Sequence, residues 1–136
     1  VIGAMVAELT IETDARDVDL YVRVLDVAPD GTAYNLMSPG LEVQRASYRE
    51  PQKGRQLLEP GRVVRITLRD LLTANRFKRG HKLRVHIMGA FQPHFSLNPQ
   101  TGLSERSSAL LAPARITLRH DAEQPSRLIL PVMPRR

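Results

Sequence analysis

The chain has 136 residues, 42% of them apolar and 25% charged, with a formal charge of +6, a pI near 10.5 and no cysteine or tryptophan. That is the length and balance of one folded domain with a core of its own, and it excludes a disordered or fibrous chain. The missing cysteine excludes disulfides, thiolate metal sites and a cysteine nucleophile, and fits a reducing compartment such as the cytoplasm. No apolar run approaches the roughly 20 residues of a membrane span, and Val1–Ala7 lacks the basic flank of a signal peptide.

Taken in chain order, the apolar residues recur at every second position, the period of a half-buried strand. Ala7, Leu9 and Ile11 alternate with Glu8, Thr10 and Glu12, and Leu20, Val22 and Val24 with Asp19, Tyr21 and Arg23. Val64, Ile66 and Leu68 follow the same rule with Arg65, Thr67 and Arg69, as do Leu83, Val85 and Ile87 with Lys82, Arg84 and His86. Ile116 and Leu118 sit among Arg115, Thr117 and Arg119, and Leu128–Leu130 forms a last short run. Turns separate them at Ala28-Pro29-Asp30-Gly31, Ser38-Pro39-Gly40, Glu59-Pro60-Gly61, Arg79-Gly80 and Asn98-Pro99, because proline presets φ and glycine supplies a positive one. Many strands with one polar face each predict two packed antiparallel sheets. Leu71–Arg79 is the only helical candidate, and Glu50–Leu58 and Gln92–Ala112 are expected to be long loops.

The pentapeptide Arg-Ile-Thr-Leu-Arg occurs at Arg65–Arg69 and again at Arg115–Arg119, without repetition of its flanks. If either copy lies beside Glu8–Glu12, cross-strand Glu–Arg pairs offset part of the positive charge.

Few residues offer chemistry. A serine nucleophile on a strand-to-helix elbow needs glycine two residues before and after it; Ser38 has only the following Gly40, and Ser104 only the preceding Gly102. His81, His86, His94 and His120 lack the spacing of a zinc helix. Asp14, Asp17 and Asp19, with Asp26 and Asp30 further along, form the one acidic cluster that could hold Ca²⁺ through oxygen ligands. The competing reading, which the spacing favours, is that Asp14 and Asp17 accept backbone N–H groups and shape the turn from Thr13 to Val18. No cofactor is implied. The arginines are scattered over several strands, and Tyr21, Tyr34, Tyr48, Phe77, Phe91 and Phe95 form no repeated motif, so a salt-bridged surface is expected rather than a nucleic-acid face.

A string of motifs carries a resemblance. Leu9-Thr-Ile-Glu-Thr-Asp-Ala-Arg-Asp-Val-Asp-Leu20 ends a strand in Thr-Asp-Ala and runs into an Asp-x-Asp turn. Then come Val24-Leu-Asp-Val-Ala-Pro-Asp-Gly31, Arg45-Ala-Ser-Tyr-Arg49, Leu58-Glu-Pro-Gly61, Phe77-Lys-Arg-Gly-His-Lys-Leu-Arg84, Phe91–Gly102 and Gln124-Pro-Ser-Arg-Leu-Ile-Leu-Pro131. In this order they resemble the C-terminal non-catalytic domain of the X-Pro dipeptidyl-peptidase and cocaine-esterase family of serine hydrolases. Lys82 and Gln124 depart from the family's arginine and histidine, without removing a turn.

The resemblance implies an all-β jelly-roll sandwich, galactose-binding-domain-like, over residues 1–136, packed against an α/β-hydrolase domain that supplies the catalytic triad. No triad position maps onto this chain, so the chain itself is expected not to be an enzyme. The family's sandwich begins before the position of Val1; the resemblance therefore implies that the first strand or strands and the hydrolase domain lie outside this sequence. A vacant sheet edge, or a homo-oligomer formed through it, is then expected. The alternative function is a carbohydrate- or other ligand-binding module, by analogy of architecture alone.

Overall fold

A computed structural model describes residues 1–37, 40–104 and 110–134. Eight strands carry the fold: β1 (Ile2–Thr13), β2 (Asp19–Val27), β3 (Ala33–Asn35), β4 (Glu42–Arg45), β5 (Val64–Ala74), β6 (Lys82–Met88), β7 (Ile116–Arg119) and β8 (Arg127–Ile129). They form two four-stranded antiparallel sheets. The chain changes sheet between β1 and β2, β4 and β5, β5 and β6, and β6 and β7, which gives the β-sandwich expected from the alternation.

The two sheets are built on one plan. In the first, β1 is flanked by β5 along one edge, while β7 and β8 share the other, pairing with Thr10–Thr13 and Val6–Glu8 respectively. In the second, β2 is flanked by β6 on one edge, and β3 and β4 divide the other. Among the described strands nothing pairs with the outer edges of β5 and β6. The core between the sheets is filled by Met5, Ala7, Leu9 and Ile11 of β1, Leu20, Val22 and Val24 of β2, and Ile66, Leu68 and Leu71 of β5. These are residues that the period of two assigned to the interior, extended by Met5 and Leu71; of the apolar set of β6 only Val85 packs on the core, while Leu83 and Ile87 are 37% and 36% exposed.

Both copies of the repeated pentapeptide lie against β1, one on each edge, so that Thr10 stands opposite Arg65 on one side and Arg119 on the other. Arg119 forms an ion pair with Glu12, and this contact holds the Arg119 guanidinium pKa above its ordinary value. Glu8 stands opposite Arg127 of β8. The predicted pairing of glutamate with arginine across strands is present.

Two expectations are corrected. Leu71–Arg79 is not helical: β5 continues to Ala74 and pairs with the first residues of β1. A register irregularity opposite Met5–Ala7 shifts the alternation by one residue, so Leu71 is fully buried while Leu72 is 51% exposed. Neighbouring residues of a strand always face opposite ways; the extra residue is what lets Leu68 and Leu71, three positions apart, both point into the core. The second correction concerns β2, which has no solvated polar face. Asp19, Tyr21, Leu25 and Val27 are buried on the side away from the core, and the segment after β6 covers the Asp19–Tyr21 end of that face.

Both expected loops are free of strands among their described residues, and residues 105–109 of the second lie outside the described residues. Glu50–Leu58 contains a single 3₁₀ turn at Pro51–Lys53, and another at Ala46–Tyr48 precedes it. Ser38 and Pro39, and with them the turn predicted at Ser38-Pro39-Gly40, lie outside the described residues. Among the described residues no helix is long and apolar enough to cross a membrane.

Candidate functional site

Four of the seven motif strings converge on one place, the link between β1 and β2. Thr13–Val18 must carry the chain from one sheet to the other, which leaves its backbone groups without a ladder partner, and each such group needs a substitute. The carbonyl of Thr13 accepts the N–H of Gly61 at 2.8 Å, and that of Arg16 accepts the N–H of Leu58 at 2.8 Å. The N–H of Arg16 reaches the Gln100 carbonyl at 3.2 Å, and the Val18 carbonyl takes the N–H of Ala46 at 2.8 Å. The segments carrying Ala46-Ser47, Leu58-Glu-Pro-Gly61 and Asn98–Gly102 are thus tied to the Thr-Asp-Ala link.

The carboxylates of this link have separate tasks. Asp17 is 1% exposed; its Oδ1 accepts the N–H groups of Val18 and Ser47, both at 3.0 Å, and its Oδ2 accepts the Ser47 hydroxyl at 2.8 Å. Arg55 approaches the same oxygen at 3.5 Å. Asp19, on the outer face of β2, takes Arg45 through Nε at 2.8 Å and Nη2 at 3.0 Å, and Asn98 Nδ2 at 2.9 Å. Asp14 is exposed and accepts the N–H of Arg115 at 2.8 Å. The three candidate Ca²⁺ ligands therefore face different partners, and among the described residues no group of three ligating side chains is close enough to hold a metal ion.

Arg49 completes the hub by donating to the carbonyls of Ala46 at 3.0 Å and Gln56 at 2.8 Å, which closes the loop between them. Gly102, with φ of +80°, lies where a Cβ would stand 3.0 Å from Leu57 Cδ1 and 3.3 Å from Arg16 Cβ. Glycine is used there both for its backbone conformation and for its missing side chain.

The remaining candidates are dispersed. His81 Nδ1 is 2.8 Å from Asp26 Oδ1, and Asn75 Nδ2 donates to Asp26 Oδ2 at 3.2 Å. That cluster ties the end of β2 to the residue after β5 and the residue before β6. Asp30 accepts the N–H of Thr32 at 2.9 Å in the β2–β3 turn, and this backbone hydrogen bond lowers its pKa. His86 is on the outer face of β6 opposite Arg23, and His94 stacks on Phe91 with ring centres 5.5 Å apart. His120 is exposed beyond β7. Ser38 lies outside the described residues; Ser104 is exposed, and no described helix follows it.

Phe91 and Phe95 face inward onto Tyr21, with centroids at 6.2 and 5.3 Å. They bury Tyr21 to 2% exposure, and Arg23 caps Phe91 at 5.1 Å from the ring centre. The Phe91–Gly102 motif is thereby a lid on the second sheet.

Two contacts have no counterpart in residue spacing. The N–H of Thr10, at the seam between β7 and β8, donates to Ser126 Oγ at 3.0 Å. The N–H of Val24, at the seam between β3 and β4, donates to Met37 Sδ at 3.2 Å. Each central strand meets two short neighbours end to end, and a side chain fills the gap between them.

The comparisons with known proteins agree with this arrangement. Residues 1–129 match the family described as the X-Pro dipeptidyl-peptidase C-terminal non-catalytic domain. The cocaine esterase of Rhodococcus sp. (strain MB1 Bresler) is 28% identical over 99% of this chain, which corresponds to 23% of the esterase. The crystal structure of an aminopeptidase from the marine sediment archaeon Thaumarchaeota archaeon superposes with a TM-score of 0.81 at 26% identity, over 95% of this chain and 23% of that one. An α-amino acid ester hydrolase labelled with selenomethionine gives 0.84 at 23% identity, over 96% of this chain and 23% of that one, a likeness of fold. The chain spans about a quarter of the relatives that it matches. With the family's pattern covering residues 1–129, nearly its whole length, the chain belongs to the X-Pro dipeptidyl-peptidase C-terminal non-catalytic domain family.

Proposed function

We propose that this chain serves as the accessory domain of a larger serine hydrolase, packing against an α/β-hydrolase portion and stabilising it while performing no reaction of its own. The observation that supports this reading is the use made of the motif residues: Asp17, Asp19, Arg45, Ser47, Arg49 and Asn98 spend their polar groups on one another and on backbone. Such an arrangement holds a shape rather than a reacting substrate. Asp14, Asp17 and Asp19 are structural carboxylates in this reading, and no cofactor is required.

The sandwich is completed by strands that precede the matched segment in the longer protein. The outer edge of β5, which borders an open groove lined by Glu42, Gln44, Arg65 and Arg69, is where such a strand, or a second copy of the chain, pairs. A ligand-binding module is less well supported, because Phe91 and Phe95 turn their rings onto Tyr21.

The test is deletion of this segment from the full-length protein. The remaining hydrolase portion is expected to unfold at lower temperature and to lose activity at the rate at which it unfolds. An unchanged thermal midpoint and full activity after deletion would refute the accessory role.

A further inference from the structure

The outer face of the first sheet is divided into two chemistries. Around the second half of β1 it presents Glu8, Thr10 and Glu12 with Arg65, Thr67, Arg119 and Arg127 across the strands. Around the first half, beyond the register irregularity, it presents apolar side chains instead. Ala4 stands opposite Leu72, Val6 opposite Ile129 and Ile2 opposite Ala74, with Ile2, Leu72 and Ile129 all exposed. Val132 and Met133, 69% and 60% exposed, border the same end beside Val1 and Ile2. Isolated exposed apolar residues are ordinary, but a set made contiguous by strand register marks a contact surface.

We propose that this apolar half of the sheet face, centred on Leu72 and Ile129, is the surface on which the hydrolase portion of the longer protein docks; the proposal rests on the accessory reading above. Two observations select that occupant. The family is described as a C-terminal domain, and the matched relatives are about four times as long. In them the rest of the chain therefore precedes the segment and enters it at the start of β1. That start is where the patch lies: the Val1 amino group is held by the Asn75 carbonyl at 2.9 Å, and Ile2 is bonded through its N–H to the Pro131 carbonyl at 3.2 Å. The preceding portion of the longer protein thus enters beside Ile2, Leu72 and Ile129, while the charged half of the face stays in water.

Carbene footprinting of the full-length protein tests this, with each peptide normalised to the same peptide unfolded in urea. Tyr34, on β3 of the other sheet and 57% exposed, serves as the internal reference. Leu72 and Ile129 are expected to label about fivefold less than Tyr34, as buried interface residues do, at all protein concentrations. Labelling of Leu72 and Ile129 equal to that of Tyr34 overturns the docking face and leaves the accessory reading standing. Protection that disappears on dilution assigns the face to a second copy, and protection seen only with phospholipid vesicles assigns it to a lipid surface; either overturns the proposal. A full-length protein with no hydrolase segment before Val1 overturns the accessory reading itself.

Discussion

The hydroxyl of Ser126 is inserted beside Thr10: it accepts the Thr10 N–H at 3.0 Å and donates to the Arg119 carbonyl at 2.5 Å, while Thr10 Oγ1 donates to the Pro125 carbonyl at 3.2 Å. One side chain thus replaces the ladder bonds that are missing where β7 ends and β8 has not begun. The closing Pro-Ser pair of the family resemblance owes its place to this seam.

Ser126→Ala leaves the Thr10 N–H and the Arg119 carbonyl without that partner in a half-buried site. The expected loss is about 1–3 kcal/mol, read as a lower urea midpoint with an unchanged slope, and the Thr10 amide should exchange faster with solvent. An unaltered midpoint would show that water fills the seam at no cost.

Asp17 carries a heavier duty, because its two oxygens accept the N–H groups of Val18 and Ser47 and the Ser47 hydroxyl. Asp17→Ala should destabilise by about 3 kcal/mol or more, and Asp17→Asn, which keeps one acceptor, by roughly half as much. If Asp14, Asp17 and Asp19 are structural, millimolar Ca²⁺ leaves the wild-type thermal midpoint in place. A rise that grows with the logarithm of Ca²⁺ concentration, the mark of a native-state ligand, would restore the metal reading.

Gly102 and Gly61 both have a φ of +80°, yet only Gly102 is crowded, by Leu57 and Arg16. Gly61→Ala meets only the backbone strain, about 1 kcal/mol. Gly102→Ala adds a steric clash to that strain and should cost more, about 2–3 kcal/mol. Chemical denaturation of the two variants side by side measures the difference.

Acid titration reports on Asp121. The backbone N–H groups of Gln124, chiefly, and of Glu123 hold its carboxylate pKa below the ordinary Asp value, and the same bonds set the turn that presents Pro125 and Ser126. A depressed folded pKa means stability present above the unfolded value and lost as pH falls through the folded one. The wild-type contribution should therefore be constant from neutral pH down to the ordinary Asp value and be lost as the pH falls from there through the lower folded pKa. Asp121→Asn should be less stable at pH 7 and show a shallower acid loss. Parallel acid curves for the two proteins would contradict this.

How far the sequence reaches depends on the range of the interaction. The period of two is a local signal, so β1, β2, the first half of β5, β6 and β7 and most of the core were legible from alternation. The second half of β5 was not, because continuing the period from Leu68 would turn Leu71 outward, and only the extra residue opposite Met5–Ala7 reverses the phase and turns it inward. Tyr21 read as outward-facing because its cover comes from Phe91 and Phe95, some 70 residues further along. The site was legible as motifs but not as contacts. Ser47, Asn98 and Ser126 each stood in a recognisable string, yet their partners Asp17, Asp19 and Thr10 lie 30, 79 and 116 residues away. The paired occurrence of Arg-Ile-Thr-Leu-Arg was informative for the opposite reason: both copies answer to one strand, β1.

The central claim, a domain whose motif residues build a joint and no active site, is tested most directly by incubating the purified 136-residue chain with p-nitrophenyl esters and with a Gly-Pro anilide. The account predicts release no faster than in buffer, in a sample whose circular dichroism shows a folded β protein. Saturable turnover of either substrate that co-purifies with the chain and is lost in Ser104→Ala would contradict it.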